Sequence, residues 1–227
     1  MTTIWFASGN VHKKKELAEI LRLTAPQGWE LKIPSEEGMN FNPKETGSSF
    51  LGNAFIKAAA LHRLLAEKGL LHPEAAIIAD DSGICVDALE GRPGIHSAYY
   101  GAPGTTFEHS CLCGCEDEDE HEVRLTPEEQ NALLLKELGD NPQRSARFVC
   151  AMVLFYNAER FFVAQETFEG EIVKSPKGEG GFGYDPVLYI PALGRTVAEL
   201  TAKEKNHFSH RGKAARAIGK MLASECR

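Results

Sequence analysis

Glu74 to Gly91 reads EAAIIADDSGICVDALEG. Ala75-Ala76-Ile77-Ile78-Ala79 is apolar at consecutive positions, the pattern of a short strand buried on both faces. Two carboxylates, Asp80 and Asp81, stand where that run stops, and Ser82-Gly83 follow at once. Asp-Ser-Gly is ordinary turn chemistry and accounts for the acids with no further role. Carboxylate oxygens at the carboxyl edge of a sheet equally suit a hard cation such as Mg²⁺. Taken alone, the stretch leaves both readings open.

Outward from this strand, the pattern alternates. Thr3 to Ser8 reads as a strand broken by Gly9-Asn10, and a helix follows with Leu17, Ile20, Leu21 and Thr24 on one stripe. Trp29 to Ile33 is a second strand. Ser48 or Ser49 caps a helix running to about Glu67, with Leu51, Ala54, Phe55, Ala58, Leu61 and Leu65 directed inward. Past Gly101 periodicity is lost until Pro127, which opens a helix ending near Gly139. Arg144–Asn157 and Arg160–Val173 read as two long strands with a hairpin-length connection. A glycine-rich loop at 178–183, a short strand from Val187 to Ile190 and a helix from Ser209 to Ala223 complete the chain. Helices alternating with strands, plus a long hairpin, predict an α/β protein with a mixed sheet.

Its 227 residues suit one sizeable core or two small lobes, read as a single domain over 1–227. At 43% hydrophobic and 25% charged, the composition is that of an ordinary soluble protein. No apolar run approaches a membrane span, and MTTIWFASGN lacks the basic-then-apolar pattern of a secretory signal, so a cytoplasmic chain with no membrane partner is expected. The net charge of −7 is concentrated: Glu116, Asp117, Glu118, Asp119, Glu120 and Glu122 leave the remainder close to neutral. That balance permits a basic pocket for a small phosphate ligand and argues against a polymeric nucleic acid. Cys85 and Cys150 lie in apolar runs and read as buried thiols. Cys111, Cys113 and Cys115, with His109 and His121 nearby, lack the paired spacing of a structural zinc site. They read as part of a solvated insert over 102–126.

Four further clusters carry chemistry. Ser8-Gly9-Asn10-Val11-His12-Lys13 spans a strand-to-helix junction, where free backbone N–H groups and the helix dipole attract an anion. Lys13 is read as a phosphate contact and Lys14 and Lys15 as a solvated face. Lys57 lies one turn after Asn53 at the margin of the apolar stripe, where either side chain reaches a cleft. Gly178 to Pro186 places four glycines around Phe182, a loop able to hold a ring against a flat base. Lys205, His210 and Arg211 offer a cation, a ring donor and a planar fork near the last helix. Each has a bland counterpart as an exposed or turn residue. Together they amount to acids for a metal, donors for phosphates and a clamp for a base.

The chain resembles the inosine triphosphate pyrophosphatase family, the XTP/dITP diphosphatases that remove deaminated purine nucleotides. The resemblance rests on S-G-N-x-x-K at 8–13, E-T-G-x-x-F at 45–50, N-A-x-x-K-A at 53–58 and A-D-D-S-G at 79–83. It continues through P-G-I-x-S-A at 93–98, G-G-F-G-Y-D-P at 180–186, A-E-L-T-x-x-E-K at 198–205 and S-H-R-G at 209–212. Departures are Ser8 for a common threonine, Gly52 for a glutamate, Tyr99 for an arginine, and the expanded 102–126 segment.

The resemblance implies a two-lobed α/β fold around a long mixed sheet, a homodimer, and Mg²⁺-dependent hydrolysis of the α–β phosphoanhydride of ITP, dITP and XTP. By the same resemblance Asp81 and Asp80 are the catalytic residues; Asp81 acts as general base and holds the metal together with Glu45. Ser8 to Lys13, Lys57 and Ser82 face the phosphates and sugar. Phe182, Gly183, Tyr184, Asp185, Lys205, His210 and Arg211 handle the base. Adjacent acids without a metal are expected to repel each other and raise one pKa. Rival readings are a pyrophosphatase for pyrimidine or modified nucleotides, and a nucleotide-binding regulator without turnover.

Overall fold

A computed structural model of the chain describes residues 2–25, 28–72, 75–102 and 124–225. The cysteine and acid cluster expected within the 102–126 insert lies outside the described residues. One seven-stranded sheet has the order β2-β1-β3-β4-β5-β6-β7. Its strands are β1 (Thr2–Phe6), β2 (Trp29–Lys32), β3 (Ala76–Val86), β4 (Ser145–Asn157), β5 (Arg160–Ile172), β6 (Leu188–Ile190) and β7 (Arg195–Thr196). The helices are α1 (Val11–Thr24), α2 (Phe50–Glu67), α3 (Pro127–Leu138), α4 (Ala202–Phe208) and α5 (His210–Glu225). β1 pairs in parallel with β2 and β3, whereas β6 is antiparallel to β5 and β7. The expected mixed α/β sheet is therefore present.

The chain divides into two compact units. The first comprises Met1–Gly83, Phe148–Phe168 and Thr201–Arg227; the second comprises Ile84–Arg147 and Glu169–Leu200. In the first, strand alternation sorts the core. Ile4 and Phe6, Ala76 and Ile78, and Cys150, Met152 and Leu154 pack with Leu17, Leu21, Ala215 and Ile218 of α1 and α5. Trp5 and Ala7, Ile77 and Ala79, and Val153 and Phe155 pack instead with Ala54, Ala58, Leu61 and Leu65 of α2. Even and odd positions of β3 thus face different helices, a fact on which the site depends.

Helix starts follow local chemistry. Asn10 caps α1 by accepting from the His12 and Lys13 N–H groups at 2.9 and 3.1 Å, and Ser49 caps α2 by accepting from Gly52 N–H at 3.1 Å. Two expectations change. β3 does not stop at Asp80 but continues through both aspartates to Val86, because it is an inner strand paired between β1 and β4, and Ile84 N–H, near its end, donates to Ser97 Oγ at 2.9 Å. Leu51 on α2 points to solvent and Phe55 is only half-buried, so the buried face of that helix is narrower than its apolar stripe.

In the second unit, α3 begins with a reciprocal cap between Thr126 and Glu129. Cys85, expected buried, is only partly so. The glycine loop is braced from several directions: Gly180 N–H donates to Ala198 O at 3.1 Å and Asn131 Nδ2 to Gly183 O at 3.0 Å. Tyr184 OH donates to Ser97 O at 2.8 Å. Phe182 N–H donates to Asp185 Oδ2 at 2.8 Å. Gly181 has φ +75°, and a Cβ there would run into the Asp185 carboxylate, so only glycine lets the loop close on that acid.

Candidate active site

The two aspartates of β3 are adjacent in sequence and opposite in space. Strand pleating sends Asp80 toward α1 and α5 and Asp81 toward α2. Asp80 is 1% exposed. Lys13 Nζ reaches its two oxygens at 3.1 and 3.3 Å, and Arg211 Nε donates to Oδ2 at 3.3 Å. Burial works against ionisation of Asp80, yet Lys13 and Arg211 outweigh it and hold its pKa far below the usual carboxylate range.

Asp81 sits in a different field. Lys57 Nζ donates to its Oδ1 at 3.0 Å, and Asn53 Nδ2 to its Oδ2 at 3.2 Å. The same Lys57 ammonium donates to Glu45 Oε2 at 3.0 Å. One cation therefore serves two acids. Burial pushes the Asp81 pKa up, Glu45 adds to the rise, and Lys57 only partly opposes it. Lys57 stays protonated: burial would lower its pKa, but Asp81, Asp80 and Glu45 together raise it. The repulsion on Asp81 thus comes from Glu45 and not, as adjacency in sequence implied, from Asp80.

Around Asp80 a second ring closes. Arg211 Nη1 donates to Glu16 Oε2 at 2.7 Å and Nη2 to Ser82 Oγ at 2.9 Å, while Lys205 Nζ pairs with Glu16 Oε1 at 2.9 Å. Burial raises the Glu16 pKa, but Arg211 and Lys205 bring it below its ordinary value. His210 is fully buried and its ring stacks on Phe148, 4.9 Å between centroids. Burial, with Arg211 and Lys205 close by, keeps its pKa well below the usual range, and its buried Nδ1 has no hydrogen-bond partner. His210 is a neutral ring with one polar atom to spare.

The first unit thus gathers Lys13, Asp80, Ser82, Lys205 and Arg211 with Glu16 into one network and Glu45, Lys57 and Asp81 into another, while His210 stacks on Phe148. At the start of α1 the expectation of unpaired N–H groups changes, since Asn10 already accepts from His12 and Lys13. Ser8 Oγ accepts from Asn10 N–H at 3.1 Å, and Gly9, Val11 and His12 are exposed beside it. Phe182, Gly183, Tyr184 and Asp185 belong to the second unit. Glu16 and Phe148 escaped the sequence reading. A signal for Glu16 existed, because it lies four residues before Ile20 on the stripe α1 buries; Phe148 looks like any apolar strand residue.

Glu45 and Asp81 supply the oxygen donors that Mg²⁺ takes, and the ion needs only one or two carboxylates when phosphates complete its shell. Two acids sharing one ammonium, one of them with a raised pKa, are a pair whose charge a dication would balance. The residues fit the group. Among the described residues no cluster of three or more His, Cys, Asp or Glu forms a cage by itself.

The fold and site define an α/β protein that presents two strand carboxylates, one on each face of its sheet, to buried cations. The chain belongs to the Ham1 family, whose model matches residues 4–221. It is 42% identical over 219 residues to a dITP/XTP pyrophosphatase of Treponema denticola, covering 96% of this chain and 97% of that one. To the dITP/XTP pyrophosphatase of Geobacillus kaustophilus it is 40% identical, over 94% and 91% of the two chains. The solved HAM1 protein of Coxiella burnetii superposes with a TM-score of 0.78 at 32% identity, covering 99% of this chain and all of that one. The resemblance carried by the motifs is borne out.

Proposed function

We propose that the chain hydrolyses the α–β phosphoanhydride of ITP, dITP and XTP, giving the nucleoside monophosphate and pyrophosphate, with Mg²⁺ as cofactor. The activity follows from the full-length similarity to dITP/XTP pyrophosphatases, and one observation carries it to residues: Asp81 is held by Asn53 and Lys57 with Glu45 on the same ammonium. Glu45 and Asp81 would hold Mg²⁺, which supplies neutralising charge for the triphosphate. Asp81, held between Asn53 and Lys57, accepts the proton of the attacking water. Lys57 lies beside both acids and offers its charge to the phosphates. Asp80 has another task, keeping Lys13, Arg211 and through them Glu16 and Ser82 in place.

His210, a neutral ring at the start of α5, reads the base. Hypoxanthine and xanthine carry a carbonyl where adenine carries an amino group, so a donor aimed there leaves adenine unmatched. A homodimer is the assembly we infer, supported by the exposed apolar side chains Leu51, Phe161 and Val163 of the first unit; sedimentation velocity should give twice the 24.9 kDa chain mass. No helix among the described residues is long and apolar enough to cross a membrane, in keeping with a cytoplasmic enzyme of the nucleotide pool.

Pyrophosphate release from ITP, XTP, GTP, UTP and dTTP, with and without Mg²⁺, tests the reading. Release from ITP and XTP with Mg²⁺ supports it. A pyrimidine preference would make this a different pyrophosphatase, and binding without release would make it a regulator.

A further inference from the structure

Asn53 is 3% exposed on α2, one helical turn before Lys57, so both side chains lie on one face. Each bridges the same two places. Lys57 joins Glu45 Oε2 to Asp81 Oδ1, both at 3.0 Å. Asn53 donates from Nδ2 to Asp81 Oδ2 at 3.2 Å and accepts on Oδ1 from Gly47 N–H at 2.8 Å, two residues past Glu45. The two oxygens of Asp81 thus have separate donors, which fixes the plane of the carboxylate.

An ionised carboxylate only accepts and a backbone N–H only donates, so this position needs one group of each kind on a short stem. An asparagine amide has both. The loop comes so close that a Cβ on Gly47 would lie 2.6 Å from Asn53 Oδ1 and 2.8 Å from its backbone nitrogen. Gly47 therefore has room only as glycine, and the loop carrying Glu45 is latched to the first turns of α2.

We propose that Asn53 is a positioning residue for the hydrolysis: its amide orients Asp81 and ties the Glu45 loop to it, so that both acids stay ready for a divalent cation. The inference rests on the assignment of Glu45 and Asp81 as the metal-holding pair. Groups of this outer kind typically change metal affinity or activity by about 10–100-fold.

The test compares Asn53→Leu, which fills the space without the amide, with Leu61→Ala, which weakens the core side of the same helix. Turnover of ITP and binding of Mn²⁺ alone, followed by electron paramagnetic resonance without nucleotide, are the readouts. Asn53→Leu should lower kcat at least about 10-fold with KM changed less than about threefold, and weaken Mn²⁺ binding at least about 10-fold. Leu61→Ala should lower the melting temperature and leave both readouts in the folded protein near wild type. Should Asn53→Leu not fold, Asn53→Ser, whose hydroxyl makes only part of the bridge, carries the same comparison with a smaller loss. A folded Asn53 variant within about threefold of wild type in both readouts overturns the proposal. If the wild-type chain binds Mn²⁺ but releases no pyrophosphate, the functional reading falls and the Mn²⁺ titration still decides Asn53. A wild-type chain that binds no Mn²⁺ without nucleotide overturns the proposal, while pyrophosphate release from ITP still decides the functional reading.

Discussion

Asp80 and Asp81 have the same chemistry and opposite surroundings, so neutralising each should do different damage. Asp81→Asn keeps the shape and leaves Lys57 paired with Glu45; the fold should persist while ITP turnover falls by two or more orders of magnitude, as about 10²–10⁴-fold is usual for a lost general base. Asp80→Asn strips the counter-charge from Lys13 and leaves Arg211, which is 3% exposed, with Glu16 alone. Breaking a buried pair from one side costs about 3–5 kcal/mol, so its denaturation midpoint should drop sharply. Two variants with equal stability and equally lost turnover would contradict this division. The difference was within reach of period-two alternation, had the strand been extended past Ala79; the turn signal of Asp-Ser-Gly hid it, and pairing along β3 overrode that local preference.

At the scale of elements, most of the fold was legible. α1, α2, α3 and the β4–β5 hairpin stand within a residue or two of their expected bounds, because caps, apolar periodicity and turn residues agree there. α4 was not read, since its seven residues hold barely two turns and only Thr201-x-x-Glu204 announces it. Yet this short helix carries Lys205 to Glu16. α2 is the element on which the site leans most, bringing Asn53 and Lys57 to Asp81 with its opposite side in the core. Leu61 is fully buried there, and Leu61→Ala should destabilise by about 2–5 kcal/mol in urea melts. A loss under about 1 kcal/mol would mean the helix is not held by that packing.

Across the molecule, charge is organised in chains more than in pairs. Glu16 links α1 to Lys205 of α4 and Arg211 of α5, tying three helices to the buried Asp80. Its folded pKa lies below its ordinary value of 4.5, so its stabilising effect is complete above about pH 4.5 and is lost as pH falls through the lowered value. Glu16→Gln should therefore be less stable than wild type at neutral pH, with the gap narrowing on acidification from about pH 7 to about pH 3 in chemical melts. A gap that widens toward acid would show that Glu16 is not held ionised by these cations.

From the order of its residues alone this chain announces an α/β sheet protein, its helix starts, its glycine loop and the acids and bases available for phosphate chemistry. These follow from spacing along the backbone, which acts over one turn or one strand. Which aspartate meets Lys57 and which meets Arg211, that Glu16 belongs to the site, and that Asn53 joins Glu45's loop to Asp81 were settled only in three dimensions. The pairings to Asp80, Asp81 and Glu16 span from 24 to 195 residues, and contacts at such separation exist only once strands have chosen their neighbours and turned alternate side chains to opposite faces.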